Sequence, residues 1–264
     1  MEELKKLRTG LEALDNVIGG FHYGDLITLA GRPCMRTEYF VYTLMRYWLN
    51  EQSVDEEVVF FSLQTRKEMV MHRMAMQVGE GKLEAMKWTV EYHLKGVELS
   101  ILCDKIRMYA LKEGKRVFVI DDFNMIEHKE SKDFVRYNRQ IIAKELRKLA
   151  HELDVIIIVD AMLFSYYVED GVDIEDKHPS LADLGCQGLS GDLDVFSDVV
   201  LGFWVPEKYH IYLNVKGEDL RGMMEVEVLK NVNDDNSEGR RISLRMNSET
   251  LCVENPMKQQ GLFD

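Results

Sequence analysis

DLITLAGRPCMRTEYFVYTLMRYWL, residues 25–49, decides the fold. Asp25–Leu29 is a short apolar run with strand character. AGRPCMRT follows as a turn, and apolar residues then recur at helical spacing from about Tyr39 to Leu49. Strand, tight turn and helix, in that order, are the setting of a phosphate-binding loop. Its working form is GxxxxGK[ST]. The glycines let backbone N–H groups close on phosphate, the lysine neutralises the outer oxygens, and the hydroxyl ligates magnesium. Counted from Gly31, the loop here is one residue short. Counted from Ala30, Met35 takes the second glycine position and Arg36 the lysine position. Either way the second glycine and the lysine are gone. A side chain at that glycine crowds the phosphate and strains the turn. Arg36 keeps positive charge nearby, as a fork rather than a point charge.

Outward from this stretch, strands and helices alternate. VVFFSLQ (58–64), RVFVIDD (116–122) and VIIIVDA (155–161) read as strands, with helices over 11–18, 67–78, 98–113 and 135–153. A polar, glycine-rich stretch covers 165–194. From Asp198 the pattern shortens to VVLGFWV, YHIYLNV, MMEVEVLKN and RRISLRM, joined by Lys216-Gly217 and by Asn233 to Asn236. The alternation predicts a mainly parallel sheet covered on both faces, with an antiparallel extension at its end. VFVI and VIIIV suit central strands buried on both sides. One domain is expected over 1–254, followed by a tail, 255–264. Ligands in such sheets sit beyond the carboxyl ends of the strands, which gathers Gly31–Thr37, Gln64, Asp121, Asp122 and Asp160–Met162 on one rim.

Composition narrows the function. Of 264 residues, 46 are acidic and 33 basic, a net charge of −13, so indiscriminate binding to nucleic-acid phosphates is disfavoured. No apolar run approaches the ~18 residues of a membrane span, and MEELKKLRTG has no secretory core, so a cytoplasmic chain without membrane contact is expected. Cys34, Cys103, Cys186 and Cys252 lie far apart and read as reduced thiols. The seven histidines form no HxH or HxxxH pair. Asp121-Asp122 reads either as a metal site or as the polar end of a buried strand. Asp160 reads more simply as a turn residue.

Thr9-Gly10 with Leu14-Asp15, then Gly20, Asp25-Leu26-Ile27, Arg32-Pro33 and Met35 resemble the ATPase domain of DnaB-type replicative helicases. FFSLQTRKEMVMHRM (60–74) is similar to that family's next block, VIDD (119–122) to its Walker B strand, and AKELRKLAHELDVIIIV (143–159) to its following helix and strand. HPSLADL (178–184) and DVV (198–200) resemble its second loop and next strand. The blocks fall in order over roughly 8–254. The resemblance implies an α/β, RecA-like P-loop NTPase fold.

The departures matter as much. Where the family has a catalytic glutamate that polarises water, this chain has Gln64, similar in shape but unable to take a proton. The family's sensor glutamine matches Met162. Its lysine and arginine finger, presented to a neighbouring subunit, match Lys230 and Val232. Gly185 stands where its DNA-facing loop has an arginine. The resemblance leaves Gly31, Arg32, Arg36, Thr37, Asp121, Asp122 and Lys230 as a nucleotide-binding remnant, with Thr37 and Asp121 its magnesium ligands. An arginine finger alone is worth about 10³–10⁵ in rate, and losses within one catalytic unit are not additive. The expectation is a non-catalytic binding or regulatory module with no cofactor, ATP and magnesium being held only if the remnant still binds them. The alternative is a diverged ATP-dependent DNA helicase or translocase using Arg36 and Asp122 in new roles. Eight residues precede Thr9, so the family's N-terminal domain and linker helix are expected to be missing.

Two segments suggest partners. Lys129, Lys132, Arg136 and Arg139 occupy the place of the family's first DNA-facing loop. With Glu130 and Asp133 between them, they read better as a solvated helix, and weak or no DNA binding is expected. The chain ends in Gln-x-x-Leu-Phe, where Gln259, Leu262 and Phe263 resemble the peptide with which bacterial replication and repair proteins bind the sliding clamp. The expected partners are replication or repair proteins, the clamp and a replicative helicase among them.

Overall fold

The computed structural model describes residues 5–50, 58–83, 88–128, 135–163, 178–184 and 193–256. In chain order the elements are β1 (Lys6–Leu7), α1 (Glu12–Ile18), β2 (Phe21–His22), β3 (Leu26–Gly31), α2 (Thr37–Asn50), β4 (Val58–Ser62), α3 (Lys67–Val78), α4 (Glu80–Leu83) and β5 (Trp88–Tyr92). There follow β6 (Val97–Glu98), α5 (Leu99–Glu113), β7 (Val117–Asp121), β8 (Ile126–Glu127), α6 (Val135–Leu153), β9 (Ile156–Met162), α7 (Leu181–Leu184) and α8 (Leu193–Phe196). The chain closes with β10 (Val199–Trp204), β11 (Met223–Asn231), β12 (Arg241–Met246) and β13 (Val253–Glu254).

Nine strands form one sheet in the order β13-β12-β11-β10-β3-β9-β7-β4-β5. From β10 to β5 all neighbours are parallel, and β11, β12 and β13 add antiparallel strands beyond β10. This is the RecA-like arrangement expected from the sequence. The pleat explains the unbroken apolar runs. On β9, Ile156 and Ile158 pack toward α1, α2 and α3, whereas Ile157 and Val159 pack toward α5 and α6. β11 is covered on one face only, so it alternates: Met224, Val226 and Val228 are buried between Glu225 and Glu227.

The N-terminal motif has a physical reason. Asp15 accepts hydrogen bonds from the Thr9 N–H (2.8 Å), the Thr9 hydroxyl (2.9 Å) and the Gly10 N–H (3.2 Å). Gly10 sits at φ 80°, and a Cβ there would lie 2.2 Å from the Tyr47 ring. The Trp48 indole donates to the Arg8 carbonyl at 2.7 Å. The entering chain is thus tied to α1 and α2.

Two sequence expectations change. YHIYLNV is not a strand. After Pro206–Tyr209, a 3-10 turn, the segment makes one isolated bridge, Leu213 to Asp219. Its place beside β10 is taken by β11, and Asn214 folds it into a turn by accepting from the Lys216 and Glu218 N–H groups. Val215 is left fully exposed. WTVEY, by contrast, forms the edge strand β5, which the alternation argument passed over. Asn255, assigned to the tail, docks: its side chain accepts from the Ala13 N–H at 2.9 Å. No helix among the described residues is long and apolar enough to cross a membrane.

Candidate functional site

At the carboxyl end of β3, Gly31 opens the loop that runs into α2. A Cβ on Gly31 would lie 2.8 Å from the Thr37 methyl and 3.2 Å from the Met35 Cβ, so only glycine fits. The loop then takes glycine-like conformations without glycine. Cys34 has φ 71° and Arg36 φ 63°, a region costing an L-residue roughly 1–2 kcal/mol. The Met35 N–H closes the turn on the Arg32 carbonyl at 3.1 Å. Its side chain is buried, the sulfur accepting from the Val205 N–H at 3.3 Å.

The loop borders a cleft of about 270 Å³, lined also by Glu38, Gln64, Thr65, Arg73, Asp121, Asp122, Asp160 and Met162. The sequence-predicted rim residues therefore come together as the topology requires. Among the described residues no lysine lines the cleft; its cations are Arg32, Arg36 and Arg73. Arg32 faces Asp183 at 3.8 Å. The guanidinium carbons of Arg36 and Arg73 lie 5.5 and 5.8 Å from the centroid of one ring, Tyr39. Against burial, Tyr42 and Glu38, beside Arg73, favour its charged form and raise its pKa.

Each aspartate of the cleft meets a donor from the chain itself. The Thr37 hydroxyl donates to Asp160 at 2.8 Å. The Gln64 amide donates to Asp122, which also caps the Asn124 N–H at 2.8 Å from a backbone at φ 76°. The Ser62 hydroxyl donates to Asp121 at 3.5 Å. Burial raises the Asp121 carboxyl to about 6, with Asp122 and Glu38 adding to the rise and Thr65 and Arg73 opposing it. Burial likewise pushes Asp160 well above the carboxylate range, against the hydrogen bond from Thr37. Thr37 and Asp121, the pair expected to share magnesium, thus face different partners. Among the described residues no three acidic, histidine or cysteine side chains converge as a metal cage.

Other candidates lie elsewhere. The Lys230 ammonium is outside the cleft, donating to the Asp194 and Val195 carbonyls at 2.9 and 3.1 Å, and burial lowers its pKa. Val232 is 48 % exposed. Arg139 turns inward, its guanidinium donating to the Asn124 side chain, whose amide in turn reaches the Met162 carbonyl at 3.4 Å. Arg136 lies on α6. Lys129, Lys132, Gly185, Gln259, Leu262 and Phe263 fall outside the described residues. Sequence reasoning underrated Asp160 and missed Tyr39 and Arg73. Asp160 carried a signal, as the polar break in VIIIVDA. Arg73 carried a weaker one: it follows Val70 by one helical turn, close to the packed side of α3.

Comparison with known proteins bears on the fold that carries this site. A model of the "DnaB-like helicase C terminal domain" matches residues 6–95. The chain is 26 % identical over 230 residues to the replicative DNA helicase DnaC of Bacillus subtilis (strain 168), covering 78 % of this chain and 49 % of that protein. It spans about half the length of the curated relatives it matches. Among solved structures, a DnaB-like replicative helicase described with its interactions with primase superposes with a TM-score of 0.81 at 21 % identity, covering 96 % of this chain and 62 % of the other. A KaiC-like protein from the hyperthermophilic archaeon Pyrococcus horikoshii gives 0.66 at 14 %, covering 96 % and 99 %. The chain resembles the C-terminal, RecA-like domain of DnaB-type helicases, and the two superpositions carry the fold.

Proposed function

We propose that this chain is a helicase-derived RecA-fold module of DNA replication or repair that does not turn over ATP. The observation that carries the reading is the Gln64–Asp122 hydrogen bond beside a loop without lysine. Hydrolysis needs a base, or a group that orients water, facing the terminal phosphate, and a cation on the transferring charge. A glutamine amide accepts no proton, and with its nitrogen held by Asp122 only its oxygen is left to orient water, beside a loop with no lysine to carry the transferring charge. Thr37 and Asp121, the residues that would hold magnesium, are bonded within the chain to Asp160 and Ser62, yet a donating hydroxyl and a once-bonded carboxylate keep lone pairs for an ion, so the pair still fits it. Such a module acts by binding. Its acidic charge and the inward turn of Arg139 favour protein partners over DNA. The sequence of its last residues, Gln259 to Phe263, supplies a tether of the kind a sliding clamp takes.

Steady-state phosphate release, with and without single-stranded DNA, tests the reading. The expected result is no turnover above buffer. A rate on the order of one per second, ordinary for an enzyme, would establish instead a diverged ATP-dependent helicase or translocase.

A further inference from the structure

We propose that β5, the edge strand of the central sheet, is a contact between two copies of this chain, pairing antiparallel with itself about a twofold axis at Val90. The contact lies apart from the cleft, to whose lining β5 contributes no residue, and it holds whether or not the chain turns over ATP.

β5 ends the nine-stranded sheet and runs parallel to β4 in unbroken register from Trp88 to Tyr92. Just past it, the His93 N–H donates to the Ser62 carbonyl at 2.9 Å. Backbone groups alternate sides along a strand, so Thr89 and Glu91 also turn toward β4. Trp88, Val90 and Tyr92 then direct their N–H and C=O groups outward, where no strand among the described residues pairs with them. Edges that must stay single are blunted by lysine, proline or a bulge. WTVEY has none of these. Its one charge, Glu91, is already paired inside the chain, with Lys105 at 2.9 Å, the Tyr109 hydroxyl and His93 at 3.5 Å.

The order of residues fits a second copy. Antiparallel pairing about Val90 sets Trp88 opposite Tyr92 of the partner subunit, Thr89 opposite the partner's Glu91, and Val90 opposite the partner's Val90. Each outward N–H then meets an outward C=O. Trp88, Val90 and Tyr92 share the face that packs toward α3, so two aromatic pairs would flank a valine pair there. On the other face each glutamate meets a threonine, never a second glutamate. Aromatic and β-branched cross-strand pairs stabilise a sheet, and like charges directly opposite destabilise it. The Tyr92 hydroxyl is shut from solvent with no hydrogen-bond partner among the described residues. In this register it lies across from the partner's Trp88, whose indole N–H is a donor. A strand pair this short is smaller than the roughly 1,200 Å² of a standard interface, so a weak dimer is expected.

Sedimentation equilibrium of the full chain, from micromolar to hundreds of micromolar, tests this. The mean mass is expected to climb from one chain toward two. Val90→Lys and Val90→Glu each set like charges face to face on the axis, and each alone should weaken the dimer about tenfold or more. Mixed in equal amounts they set lysine opposite glutamate, and association should return. Val90→Pro removes an outward N–H while leaving the bonds to β4 in place, so it should give a folded monomer. Circular dichroism checks folding. If a charge at half-buried Val90 unfolds the chain, Thr89→Lys and Thr89→Glu carry the test, the first expected to tighten the dimer and the second to weaken it through the partner's Glu91. A chain that stays monomeric at hundreds of micromolar overturns the proposal. So does an oligomer that Val90→Pro leaves intact, which would place the contact on another face. So does a mixture of folded lysine and glutamate variants that fails to associate.

Discussion

Thr37 and Asp160 join the first residue of α2 to the carboxyl end of β9 through one hydrogen bond, hydroxyl to carboxyl, of 2.8 Å. The bond spans 123 residues of chain and holds the loop against the strand that borders β3. Thr37→Val keeps the shape and removes the donor, leaving the acceptor unmet in a partly buried place. The expected loss is about 1–2 kcal/mol in urea unfolding. Thr37→Ser, which keeps the hydroxyl, is expected near wild type. Equal stability of wild type and the valine variant would show that the bond contributes nothing.

Gln64→Glu restores the carboxylate that the helicase-like pattern carries at this position. No rescue of hydrolysis is expected, because the loop still lacks its lysine and the new carboxylate would face Asp122 across the hydrogen bond that Gln64 now makes. The like-charge contact should lower the melting temperature. Phosphate release rising above background in this single variant would mean that the missing lysine is not what limits the site.

The amino ends of β3 and β10 hold a second acidic pair. Asp25 is buried, and burial, then Asp198, raises its carboxyl to about 7, with Asn233, the His22 N–H and Arg147 opposing. Asp198 is itself held by Arg147 at 2.7 Å, by the Leu26 N–H at 3.0 Å and near His151 at 3.7 Å. The folded state binds the Asp25 proton more tightly than the unfolded state. Its contribution to stability is therefore present at low pH and lost as pH rises through about 7. Between pH 8 and 5 the melting temperature should rise on acidification, and Asp25→Asn should flatten that rise. A variant with the same slope as wild type would assign the dependence to other groups.

What the sequence could reveal followed from periodicity. Ile156 to Val159 announced a strand buried on both faces, and Leu11 to Ile18 a helix, because burial sets those patterns directly. YHIYLNV alternates just as well, yet pairing needs a free strand edge, and β11 occupies the edge it would use. The site was legible where a motif fixes spacing, as at Gly31, Gln64 and Asp121. Tyr39 and Arg73 were not, because their meeting depends on how α2 packs against α3. Nor were the partners of Lys230, because a sequence match says nothing of the carbonyls its ammonium reaches.

Single-stranded DNA should bind weakly. The chain carries a net charge of −13, and Arg139, one of the basic residues of its segment, is spent on Asn124. Fluorescence anisotropy with a labelled oligonucleotide at ~150 mM salt should give no saturation below the micromolar range. Nanomolar binding there would contradict this and direct attention to Lys129, Lys132 and Arg136.

The sharpest prediction concerns the final residues. Gln259, Leu262 and Phe263 are proposed to dock in a bacterial sliding clamp, two large apolar groups filling a pocket while the amide bonds at its edge. They follow Pro256 and carry no period that would place them in a core. A short peptide loses ordering entropy on binding, so micromolar affinity is expected, about −8 kcal/mol. Burial of Leu262 and Phe263, each worth roughly 1.5–3 kcal/mol, supplies most of it. Replacing both with alanine should remove detectable binding in calorimetry and leave the melting temperature nearly unchanged. A marked drop in melting temperature would place the two side chains in the core, and an intact chain that fails to bind the clamp at tens of micromolar would end the proposal.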